Sequence, residues 1–184
     1  NRGRAYHEMK KHDQAMEDLT KALELMPELA EAYINRGNVY AEMEKYDEAI
    51  SDFTAAAKLR PGHAEAYYNR GLAYGMSGDH QSAIDDFSVA IQYDPEFAAA
   101  YCNRGRAYGN SGYHQSAIDD FSEAIRFNPE DAEAYYSRAS AYGLTDQFEQ
   151  STADFTAVIR LMPQNAQAYH RRTLSHYFQG KYRK

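Results

Sequence analysis

The chain has 184 residues, with 20 Lys and Arg against 27 Asp and Glu for a net charge of −7, 43% hydrophobic residues and one Cys. No apolar run approaches the ~20 residues of a membrane span, and an acidic balance without a basic block argues against nucleic acid, which needs clustered Lys and Arg to displace counterions. A single Cys excludes an internal disulfide framework and a cysteine-based zinc site.

Repetition sets the order of the elements. Pro27, Pro61, Pro95, Pro129 and Pro163 each stand 34 residues from the next, and the same interval carries Asn1-Arg2-Gly3 to Asn35-Arg36-Gly37, Asn69-Arg70-Gly71 and Asn103-Arg104-Gly105, then in altered form to residues 137–139 and 171–173. The chain divides without insertion into a partial unit 1–29, full units 30–63, 64–97, 98–131 and 132–165, and a partial unit 166–184. Such a period predicts a one-dimensional array rather than a packed globule.

In chain order, Asn1 enters at unit position 6 of a first helix, and Asp18 falls in the second helix of that partial unit. Each full unit then predicts two amphipathic helices. In residues 64–97, Tyr67, Gly71 and Tyr74 repeat at i, i+4, i+7, and Ala83, Phe87 and Ala90 do so again after a break at Ser77-Gly78-Asp79. Pro95 ends the second helix, since proline cannot continue it. Glycine inside a helix costs up to about 1 kcal/mol against alanine, so its recurrence at Gly37, Gly71 and Gly105 marks a place where no side chain fits. Departures gather late: Ala139 and Thr173 replace Gly, Ser151 and Val158 replace Ala, and His176 replaces Tyr. Looser or re-angled packing is expected there. Lys184 falls at position 19, so both ends are expected to cut through a helix hairpin of a longer protein, with the exposed end faces stacking on other copies.

An aromatic at unit position 4, Gly at 8, Tyr at 11, Ala at 20, Phe at 24, Ala at 27 and Pro at 32 resemble the tetratricopeptide repeat. The resemblance covers the whole chain. It implies an all-α fold, a right-handed α-solenoid of antiparallel helix pairs, whose first helices line a concave groove that holds partner segments.

Two charged rows run through the units. Arg2, Arg36, Arg70, Arg104, Arg138 and Arg172 occupy position 7, and Asp18, Asp52, Asp86, Asp120 and Asp154 occupy position 23. Helical spacing sets each aspartate one turn before the small residue at position 27. Pairing with the arginine of the next unit is therefore expected: Asp18–Arg36, Asp52–Arg70, Asp86–Arg104, Asp120–Arg138 and Asp154–Arg172.

At about 100° per residue, positions 2, 5, 6, 9 and 13 lie opposite the packing face of the first helix. Position 6 reads Asn35, Asn69 and Asn103, then Ser137 and Arg171; position 5 supplies Tyr68, Cys102, Tyr136 and His170; position 9 supplies Asn38, Leu72 and Arg106. Side-chain amides both donate and accept, as a peptide backbone demands, and tyrosine gives contact area at low entropic cost. The row is similar to the asparagine ladder of O-linked N-acetylglucosamine transferases, which grips extended chains; the other reading is a duplicated asparagine with a local bond. Gly75, Gly109 and Gly143 at position 12 either deepen the groove or relieve crowding between first helices. Glu31, Glu65 and Glu133 at position 2, with no lysine at position 5, argue against the carboxylate clamp of the co-chaperone subgroup.

Catalytic readings find no support. His7 and His12 are five residues apart and point to different helix faces. His80 and His114 share a unit position, near 10 Å apart, too far for one metal. Gly105, Gly109 and Gly112 begin inside a helix and form no phosphate loop. Cys102 reads as an inert groove thiol. The expected function is a protein-interaction scaffold binding an extended peptide, with no cofactor and no metal. The alternatives are a self-associating structural scaffold and the substrate-selecting arm of an enzyme.

Overall fold

The computed structural model describes the backbone of residues 2–182 and the side chains of residues 11–181. Asn1, Arg2 and His7 lie outside the described side chains. Among the described residues there are ten helices and no strand: α1 (Arg2–Leu25), α2 (Ala30–Glu42), α3 (Tyr46–Leu59), α4 (Ala64–Ser77), α5 (His80–Tyr93), α6 (Ala98–Asn110), α7 (His114–Phe127), α8 (Ala132–Leu144), α9 (Phe148–Leu161) and α10 (Ala166–Tyr182). They fall into two compact units, residues 1–94 with α1–α5 and residues 95–184 with α6–α10.

Within the first unit α2 packs on α3, α3 on α4 and α4 on α5; within the second, α6 on α7, α7 on α8, α8 on α9 and α9 on α10. Each turn between the helices of a pair uses one residue of positive φ, namely Glu44, Gly78, Gly112 and Asp146. Asp79 caps α5 by accepting from Ser82 N at 3.1 Å, and Asp131 caps α8 by accepting from the backbone of Glu133 and Ala134.

Residues 2–25 differ from the expected pair. They form one continuous helix, and the residue aligned with the positive-φ turn is Lys10. Met9, Lys10 and Lys11 are all good helix formers, and none favours the left-handed conformation a break requires.

The core repeats with the sequence. Phe53, Phe87, Phe121 and Phe155 are buried, with alanines around each. A Cβ at Gly37, Gly71 or Gly105 would stand 2.7, 2.8 or 2.9 Å from the ring of the facing Phe53, Phe87 or Phe121. No side chain fits, as the recurrence of glycine implies.

At Ser151 and Val158 the late departures do not loosen the packing. Ser151 and Val158 are 1% and 0% exposed. Ser151 Oγ donates to Ala139 O at 2.9 Å and lies 2.9 Å from Ser175 Oγ on α10, so two buried hydroxyls satisfy one another where other copies bury a methyl group.

Candidate functional site

The arginines at position 7 are spoken for, and not in the expected way. Arg36 holds Asp52, Arg70 holds Asp86, Arg104 holds Asp120 and Arg138 holds Asp154, each through Nε and Nη2 in a bidentate pair. Every pair lies within one repeat, 16 residues apart, so the expected pairing of aspartate with the following repeat is corrected. The reason is the neighbouring contact. Position 24 Phe sits over position 8 Gly, and the residues just before them, Asp and Arg, are carried into register on the same side.

What crosses to the next repeat is a hydroxyl. Arg70 Nη1 donates to Thr54 Oγ1 at 3.0 Å, Arg138 Nη1 to Ser122 Oγ at 2.9 Å and Arg172 Nη1 to Thr156 Oγ1 at 3.3 Å. Tyrosines one turn to either side flank the guanidinium, as Tyr101 and Tyr108 do for Arg104 at 5.6 and 5.9 Å. Burial pulls the Arg104 and Arg138 pKa values down most strongly, but the hydrogen bonds and charges of Asp120 and Asp154, with the flanking tyrosines, together outweigh it and both end raised. These arginines fix the register of a repeat and present no free charge to a ligand.

The sequence-predicted groove residues divide between the two units. In the first, Asn69 Nδ2 donates to Asn38 Oδ1 at 3.3 Å, which joins the first helices α4 and α2. Asn35 is exposed, and Tyr68 and Leu72 are half-buried. Tyr68 leans on Phe87 with ring centroids 5.8 Å apart, so one face of it belongs to the core.

In the second unit, Asn103 Nδ2 donates to Ala99 O one turn earlier at 2.9 Å. Cys102 is buried, and burial pushes its thiol up to about 11, against the pull of Arg106. That thiol is protonated at neutral pH and is no nucleophile. Arg106 pairs with Glu133 on the next first helix. Tyr136 stands edge-on to Phe155 at 5.4 Å. Ser137 is half-buried, and His170 and Arg171 are exposed on α10.

Two pockets open along these helices. One, of about 280 Å³, lies among α6, α7 and α8 and takes in Arg106, Tyr136 and Ser137. The other, of about 410 Å³, lies among α8, α9 and α10 and takes in Arg171. Cys102, Asn103 and His170 line neither. The floors are laid by Gly109 and Gly143, where an added Cβ would meet only Ala117 Cβ at 4.0 Å or Ser151 Oγ at 3.8 Å. The position 12 glycines therefore leave open space against their own second helix.

The second pocket draws on positions 9 and 13 of the predicted face and on position 17, which lies outside it. Leu144 and Phe178 at position 13, Leu174 at position 9 and Phe148 at position 17 form most of its wall, with Phe148 and Phe178 stacked at 5.5 Å. The signal lay at positions 13 and 17, where these apolar residues stand in the places of Asn110 and His114. Among the described residues, no group of three or more His, Cys, Asp or Glu could hold a metal, and no helix is long and apolar enough to cross a membrane.

Four family models match the chain. Models described as tetratricopeptide repeat match residues 34–100, 98–131 and 132–165, and one described as TPR repeat matches residues 3–44. A search of the curated proteins finds no significant match. Among solved structures, MamA is similar at 26% identity and a TM-score of 0.81, over 91% of this chain and 98% of MamA. YrrB, described as a TPR protein with an unusual peptide-binding site, is similar in fold at 22% identity and a TM-score of 0.79, over 89% of this chain and 84% of YrrB. The first TPR of Spaghetti (RPAP3), solved bound to the HSP90 peptide SRMEEVD, is 25% identical with a TM-score of 0.62, over 63% of this chain and 92% of its own. With the period, the glycine–phenylalanine contact and the helix pairs already in place, these matches establish that the chain belongs to the tetratricopeptide repeat family, in the all-α solenoid fold class.

Proposed function

We propose that the chain is a non-catalytic protein-interaction scaffold that holds an extended segment of a partner along the first-helix faces of its repeats. The observation that carries this reading is the pair of pockets between consecutive first helices, whose walls include the predicted face residues Arg106, Tyr136, Ser137 and Arg171. The first helices also carry amides at Asn35, Asn38, Asn69 and Asn103, a side chain that can both donate and accept. The first TPR of RPAP3 supports the reading, since it was solved with a peptide bound.

The bound segment is not an acidic chaperone tail of that kind. Glu31, Glu65 and Glu133 hold position 2, where a clamp for a terminal carboxylate needs cations. Panning a phage-displayed library of random dodecapeptides on the immobilised chain tests the proposal, followed by mapping amide chemical-shift changes for the enriched peptides. Enrichment is expected, with shifts on α2, α4, α6, α8 and α10. Failure to enrich any peptide, or shifts confined to the second helices, would overturn it.

A further inference from the structure

The two pockets of the second unit are the same site built twice. Their walls come largely from the same unit positions, and among the exchanges between them Arg106, Asn110 and His114 in the first correspond to Ser140, Leu144 and Phe148 in the second. The first is polar. The second is walled by Leu144, Phe148, Phe155, Leu174 and Phe178. Position 5 changes as well: Tyr136 helps to fill the first pocket, whereas its counterpart His170 stands exposed outside the second, which is larger.

Two features of the second pocket indicate its occupant. Leu144 and Leu174 are 67% and 38% exposed at its mouth, although both could be covered by a ligand, and exposed apolar area gains about 25 cal/mol per Å² when removed from water. A polar group entering such walls would lose its water without a replacement bond. Beside the mouth, α10 carries Arg171, Arg172 and Lys181 and no Asp or Glu, in a chain whose net charge is −7. Arg172 is engaged with Thr156 and Tyr169. Arg171 lines the pocket, is exposed, and pairs with no carboxylate among the described residues.

We propose that this pocket anchors the partner segment by one large apolar side chain, Leu, Met or Phe, with an Asp or Glu adjacent to it in the segment paired to Arg171. The assignment rests on the groove reading above and adds which residues of the partner are selected and where.

The peptides enriched from the random library supply the probe. They are expected to share a Leu, Met or Phe next to an acid, and the strongest, made synthetically, is titrated against two variants of the chain. Gly143→Leu projects a side chain into the pocket from a helix position where a Cβ would meet only Ser151 Oγ, at an ordinary contact of 3.8 Å, and it raises helix propensity. It should weaken binding by roughly tenfold or more, the scale of a lost anchor. Replacing the apolar residue of the peptide by Ser should cost as much, and the two changes together little more than either. Arg171→Glu should weaken binding several-fold at low salt, with the loss reversed for a peptide carrying Lys in place of its acid.

Enriched peptides that lack the apolar residue, or that bind Gly143→Leu as well as the parent chain, would overturn the pocket assignment while leaving the groove reading intact. Failure to enrich any peptide would overturn both. Circular dichroism of Gly143→Leu identical to the parent confirms that a loss of binding is local.

Discussion

Gly71 and Gly75 stand one turn apart on α4 and differ in what a methyl group would meet. At Gly71 the Cβ would lie 2.8 Å from Phe87 Cε1, and at Gly75 the nearest atom is Ala83 Cβ at 3.9 Å. Phe87 is 2% exposed, so the facing ring must shift within a packed core to admit a methyl group. Gly71→Ala should therefore lower stability by about 1–3 kcal/mol through overpacking, whereas Gly75→Ala should raise it by up to about 1 kcal/mol through helix propensity. Urea midpoints shifting the same way in both variants would contradict the packing argument. The fourth repeat already carries Ala139 at the crowded position, and there the Tyr136 and Phe155 rings meet at 77° rather than the 51° of Tyr68 and Phe87. Cys102 offers a second test at this scale. Its thiol is raised by burial from 9.0 to about 11, so as pH rises the unfolded chain loses its proton first. The stabilisation it gives is present below about pH 9 and is lost as pH climbs toward 11. Against a Cys102→Ala variant, the parent chain should lose relative stability across that window, as read from urea midpoints; parallel curves would show that the thiol is not desolvated.

At the scale of the helix pair, the arginine and aspartate rows act inside each repeat. Arg70 holds Asp86 through two bonds of 2.7 Å, with side chains 18% and 8% exposed. Removing one partner of a pair this buried strands the other, at about 3 kcal/mol or more. Asp86→Ala should therefore destabilise strongly, and a double-mutant cycle of Asp86 with Arg70 should show large coupling. The cycle of Asp52 with Arg70, which lie in successive repeats, should show little, and coupling in that cycle instead would restore the inter-repeat pairing. The spacing of the two rows was plain in the sequence, but the partner was not. Helical periodicity says which residues share a face and leaves open how one helix is rotated against the next. The contact of Phe87 on Gly71 settles that rotation, and the carboxylate follows it.

Across the whole chain, the repeat length, the helix pairs and the glycine–phenylalanine seam were legible because small residues and aromatics recur at fixed positions. Two things escaped. One was the continuous α1, where Lys10 occupies the turn position and helix propensity prevails over repeat register. The other was the apolar pocket, since its walls come from α8, α9 and α10 and no single helix pattern displays them together. The asparagine row remains the test of how the repeats act jointly. Asn69 already donates to Asn38, and Asn103 to the Ala99 carbonyl, while Asn35 is exposed. A ligand backbone can still bind through the carbonyl oxygens of these amides, because an amide oxygen accepts two bonds. Changing Asn35, Asn69 and Asn103 together to Ala should abolish binding of the enriched peptides, and helicity should hold or rise, since alanine is the better helix former. Isothermal titration with circular dichroism reads both quantities. Unaltered affinity with unaltered helicity would mean that the amides only tie first helices to themselves and to each other, and that the pockets alone hold the partner.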